Sequence, residues 1–63
     1  MTEYLEYLSK QIHEERTRII EDLGDGKAQD HGDYKFSCGV VRGLLVANNL
    51  IMELAERMEN SDE

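Results

Sequence analysis

The sequence predicts an all-α fold, a two-helix antiparallel hairpin that oligomerises or docks on a larger assembly. Three observations carry this expectation. Apolar residues recur at helical rather than strand spacing in two long segments. A short glycine-rich stretch, Gly24-Asp25-Gly26, separates the segments and leaves room only for an antiparallel return. The whole chain is 63 residues, and below about 70–80 residues one core rarely supplies more than about 3–5 kcal/mol.

The first helix is expected over about 2–23. Thr2 reads as its N-cap, with Glu3 and Glu6 at the positive end of the helix dipole. Leu5, Leu8, Ile12, Ile19 and Leu23 form the apolar stripe, widened by Tyr4 and Ile20. Arg16 stands where the stripe needs another apolar residue, and its stem can lie along an apolar surface. Glu14 and Arg18 form a favourable i,i+4 pair on the polar side. The turn is expected over 24–29. Gly24 is placed as the left-handed residue after the helix, and Gly26 adds a second permissive position.

The second helix is expected over about 30–60, followed by an acidic tail at 61–63. Asp30 is its candidate N-cap, with Asp33 in a capping-box-like position. Tyr34, Val41, Leu44, Ile51, Ala55 and Met58 keep a heptad rhythm, with Ser37 and Asn48 at the missing steps. Asn48 either sits in that seam, fixing register through a buried hydrogen bond, or faces solvent; Asn49 is expected to face solvent. A second row runs beside it: Val40, Leu44, Ala47, Ile51, Leu54 and Met58. Between Val40 and Ala55 the helix is therefore apolar around much of its circumference. One face can cover the first helix, and the remainder needs another protein surface. The expected core is Leu5, Leu8, Ile12, Ile19, Leu23, Val41, Leu44, Leu45, Ile51, Leu54 and Met58.

Gly39 and Gly43 lie inside this helix, where each costs about 1 kcal/mol relative to Ala. With Ala47 they read as a ridge of small residues that lets another helix approach closely, within the hairpin or between chains. The alternative is a kink or break there. The candidate protein-interface residues are Val40, Gly43, Leu44, Ala47, Ile51, Leu54 and Met58.

Composition excludes several classes of function. Fourteen acidic against seven basic side chains give a net charge of −7, which disfavours direct nucleic-acid contact. One Cys cannot form an internal disulfide. No apolar run approaches the ~18 residues of a membrane span, so no membrane partner is expected. His13, His31 and Cys38 lack the recurrent spacing of a zinc site, and the stretch from Asp25 to Asp33 lacks the alternating oxygen ligands of a calcium loop. Gly24-x-Gly26 is not a dinucleotide fingerprint. Cys38 has no recognisable oxyanion device, and a two-helix chain offers little concavity for acid–base chemistry. No catalytic, cofactor-binding or metal residue is assigned, no cofactor is expected, and the reading is of a protein that is not an enzyme.

From Leu23 and Gly24 through Gly26-Lys27-Ala28, Asp30, Asp33-Tyr34-Lys35 and Cys38-Gly39-Val40-Val41-Arg42-Gly43-Leu44 to Ala47, Ile51, Leu54 and Arg57, the chain resembles very short proteins of tailed bacteriophages. These look like helical hairpins with a Gly-x-Ala turn and an acidic end, similar in kind to small products of phage structural-gene regions. The resemblance covers residues 21–63, and the first helix matches in type only. It implies a non-catalytic phage structural or assembly protein whose partners are itself or a capsid, portal or tail protein. The virion or the host cytoplasm would be its location. The alternatives are an acidic host-takeover protein that inhibits a bacterial enzyme, and a small dimeric adaptor or regulator.

Overall fold

A computed structural model describes residues 2–61. Two helices, α1 (Thr2–Gly24) and α2 (His31–Ser61), fold into an antiparallel hairpin, and no strand occurs among the described residues. The molecule is a rod of 51 × 15 × 12 Å. The all-α hairpin is therefore as expected, while the tail expected at 61–63 lies largely outside the described residues. α2 runs unbroken through Gly39 and Gly43, so neither glycine breaks it.

The start of α1 differs from expectation. Thr2 is already helical and Glu3 lies in the first turn, so Thr2 is not the cap. The end of α1 differs too. Gly24 is the last helical residue, and the left-handed glycine is Gly26, with φ 78°. Hydrogen bonding explains the shift. The Lys27 N–H donates to the Asp22 carbonyl at 3.0 Å and the Gly26 N–H to the Leu23 carbonyl at 3.1 Å. These are the paired bonds of a Schellman cap, which satisfy two otherwise orphaned carbonyls. The Lys27 ammonium also lies 3.4 Å from the Asp22 carboxylate, tying the chain across the cap.

At the start of α2 the Asp30 carboxylate accepts from the Asp33 N–H at 2.8 Å, and the Tyr34 N–H closes the first turn on the Asp30 carbonyl at 3.0 Å. The Asp33 carboxylate reaches back to the Gln29 N–H at 3.3 Å. Asp30 is thus the N-cap, and Asp33 returns a bond one residue earlier than a standard capping box would.

The seam is formed by two rows. On α1 the half-buried residues are Thr2, Leu5, Ser9, Ile12, Arg16, Ile19 and Leu23, with Asp22 beside them. On α2 the inward row is Ser37, Val41, Leu44, Asn48, Ile51, Ala55 and Met58, at alternating intervals of four and three. Ala55, 7% exposed, is the one buried residue among those described. Two expected core residues are corrected: Leu8 is 46% exposed and Leu54 45% exposed. Leu8 sits one position off the row, which Ser9 occupies, and Leu54 lies well round α2 from the seam. Tyr34, at the head of the expected heptad, is also exposed.

Candidate functional site

A polar contact sets the register of the two rows. The Ser9 hydroxyl donates to the Asn48 side-chain oxygen, and lies 3.5 Å from the Met52 sulfur. Asn48 therefore faces the seam within the hairpin, while Asn49 is exposed. With Ser9 level with Asn48, antiparallel pairing brings Arg16 level with Val41. The Arg16 stem lies in the seam as expected, but its Nε is buried with no hydrogen-bond partner. Thr2, Ser9, Arg16, Ser37 and Asn48 make the seam polar at five of its steps.

The polar surface of α1 is organised around Arg18. Its Nε bonds the Glu15 carboxylate at 2.9 Å, with a second contact from Nη2, and Nη1 lies 3.3 Å from Asp22. The expected partner Glu14 is replaced by Glu15 and Asp22. The Glu15 hydrogen bond and charge, with Asp22 contributing less, hold the Arg18 guanidinium above its ordinary pKa. Asp22 thus bridges Arg18 and Lys27 and joins the last turn of α1 to the connection.

An open depression of about 300 Å³ lies at the closed end of the hairpin, with Ile19, Leu23, Ala28 and Phe36 as its apolar lining. Its cations, Arg18 and Lys27, both face Asp22, and Asp33 stands on the rim. The lining charges balance, so the depression attracts neither anion nor cation strongly. Among the described residues no group of three or more His, Cys, Asp or Glu converges as metal ligands. The His31 ring stacks on Tyr34 with centroids 6.3 Å apart. One turn further on, Cys38 is half-buried. Its hydrogen bond and charge push the Tyr34 phenol above its ordinary pKa.

The candidate interface residues divide into two groups. Val40, Leu44, Ala47, Ile51 and Met58 are half-buried, on or beside the face of α2 that meets α1. Gly43 and Leu54 are exposed. A Cβ built on Gly43 or Gly39 meets nothing within 4 Å, so Gly43 makes no close helix contact inside the hairpin. The reason is angular: Gly43 lies about 100° from Leu44, on the far side of α2.

That far side carries an apolar face of which the interface assignment included only Gly43 and Leu54. Phe36, Gly39, Gly43, Val46 and Leu50 recur at intervals of three and four and are all exposed, with Leu54 continuing the face. At 100° per residue the six lie within an arc of about 80°, roughly 125° round α2 from the seam row. Phe36 is 74% and Leu50 60% exposed. The signal was present as the 3-4-3-4 spacing, but two of the five positions are glycines and add no hydropathy. α2 also contains an 18-residue window of mean hydropathy 1.4, 6% of it buried, enough by length and composition to cross a membrane. That apolarity exceeds what inspection of uninterrupted runs indicated.

No protein-family model matches the chain, and comparison with curated proteins and with solved structures gives no match.

Proposed function

We propose that the chain is a non-catalytic interaction protein that acts through helix–helix contacts, in the class of phage structural or assembly proteins. The observation that carries this reading is the exposed apolar face of α2, Phe36, Val46, Leu50 and Leu54, on a hairpin in which Ala55 alone is buried among the described residues. A hairpin with so small a core gains from covering that face with protein. The phage assignment rests on the resemblance of residues 21–63, and the partner is a second copy of the chain or a capsid, portal or tail component. A net charge of −7 favours a second reading, an acidic module that docks on a host enzyme.

Mass spectrometry of purified particles and of assembly intermediates tests the assignment. The chain should be present in defined stoichiometry in one or both. Its absence from both, with expression confined to early infection, would favour the host-directed reading.

A further inference from the structure

We propose that two copies of the chain pair through the outer face of α2, antiparallel and two-fold symmetric, with Leu50 of each over the partner's Gly39 and Val46 over the partner's Gly43. The inference rests on the reading of this protein as a helix–helix interaction module, and adds its partner and its geometry.

Surface area is the first support. The chain exposes 5037 Å². A folded monomer of 7.3 kDa is expected to expose about 4,200 Å². The excess, roughly 850 Å², is close to the ~800 Å² each partner contributes to a standard interface.

Shape is the second. With Phe36, Gly43 and Leu50 at one set of heptad positions and Gly39, Val46 and Glu53 at the other, an antiparallel pair brings Leu50 to the partner's Gly39 and Val46 to the partner's Gly43. Each branched side chain meets a position where the partner has no Cβ. Both glycines face open space within one chain, so the hairpin itself draws no packing benefit from them. Phe36 comes level with the partner's Glu53 and Leu54.

Charge is the third, and it sets the direction. The exposed row beside this face is Lys35, Arg42, Asn49 and Glu56, running from basic to acidic along α2. In the same antiparallel register, flanking positions meet their like, so Lys35 faces the partner's Glu56 and Arg42 the partner's Asn49. A parallel pair would instead set Lys35 beside Val40 and Arg42 beside Ala47, with no ion pair.

A membrane is the competing occupant, and it fits less well. The apolar window would bury Arg42 and Glu53 as well as Asn48, which is bonded to Ser9. A net charge of −7 is also repelled by anionic lipid.

Sedimentation equilibrium of the full chain over the micromolar range should give a dimer. Leu50→Glu and Gly43→Leu, both outward-facing, should leave the helical circular dichroism intact and weaken association on the order of a hundredfold. Glu56→Lys should weaken it roughly 2- to 30-fold, although it reduces the net negative charge. Lys35→Glu combined with Glu56→Lys should restore wild-type affinity at an unchanged net charge of −7. The two positions lie about 31 Å apart along one helix, so only the partner can supply the rescue. Overturning results are a monomer at every concentration, a dimer that resists both Leu50→Glu and Gly43→Leu, or a charge swap no better than Glu56→Lys. A monomer that binds phosphatidylcholine–phosphatidylglycerol vesicles, and loses that binding with Leu50→Glu, would replace the second copy by a membrane. A monomeric chain still present in purified particles would overturn self-pairing but keep the structural or assembly assignment; a dimer absent from particles and intermediates would do the reverse.

Discussion

Gly24 and Gly26 are two residues apart and chemically identical, yet the hairpin treats them in opposite ways. Gly24 is helical, and a methyl group added there would meet nothing within 4 Å, whereas Gly26 sits at φ 78°. Gly24→Ala should therefore raise stability by about 0.5–1 kcal/mol, through helix propensity. Gly26→Ala should lower it by about 1–2 kcal/mol, because a Cβ is strained in the left-handed region. Thermal melts of the two variants decide, and equal effects would contradict a cap centred on Gly26. Arg16 gives a less intuitive expectation. Its buried Nε has no partner, and an unsatisfied buried polar group costs about 1–3 kcal/mol. Arg16→Leu should raise stability by about 1–2 kcal/mol, read as a higher denaturant midpoint with an unchanged slope. A lower midpoint would mean that the guanidinium is bound or solvated in a way the seam geometry does not provide.

At the scale of the helices, Ser9 and Asn48 are the polar pair that fixes how α1 and α2 slide against each other. Ser9→Ala leaves the half-buried Asn48 side chain without that donor and should cost about 0.5–1.5 kcal/mol. Asn48→Leu removes the other half and restores an apolar step. A double-mutant cycle should therefore give a coupling energy of about 0.5–1.5 kcal/mol, and a coupling near zero would remove the pair as a register device. The two helices were unequally legible in the sequence. The inward row of α2 could be read directly, because apolar residues hold all its steps except Ser37 and Asn48 and its period is regular. The inward row of α1 includes Ser9 and Arg16, so hydrophobicity pulled the reading toward Leu8, which is exposed. The cap was equally hard to place, because two nearby glycines offer the same freedom and only the carbonyls of Asp22 and Leu23 select between them. The outer face of α2 was only half visible. The sequence showed surplus apolar surface between Val40 and Ala55, but the denser row Val40, Leu44, Ala47, Ile51 drew the interface toward residues that lie on or beside the seam.

For the molecule as a whole, charge and apolar surface act against each other. Association covers Phe36, Val46, Leu50 and Leu54, but brings together two chains that each carry a net charge of −7. These charges are spread along rods 51 Å long. At a mean separation of roughly 30 Å in water, Coulomb's law gives about 7 kcal/mol of repulsion without screening. With a Debye length of about 30 Å at 0.01 M salt, about 2.5 kcal/mol of this remains, and with one of about 8 Å at 0.15 M only about 0.2 kcal/mol. The exposed Lys35–Glu56 contacts run the other way with salt, but two such pairs amount to only about 0.4–2 kcal/mol in total. Long-range repulsion is therefore the larger salt-dependent effect, and added salt should strengthen association about tenfold between those limits. Because association stabilises the folded chain by mass action, the melting temperature should rise with protein concentration, and at fixed concentration should rise with salt over the same range. Sedimentation and melting at two ionic strengths measure both effects. If salt weakens association, the flanking ion pairs outweigh the net charge. If the melt depends on neither concentration nor salt, the hairpin is stable alone and its outer face is not what holds it folded.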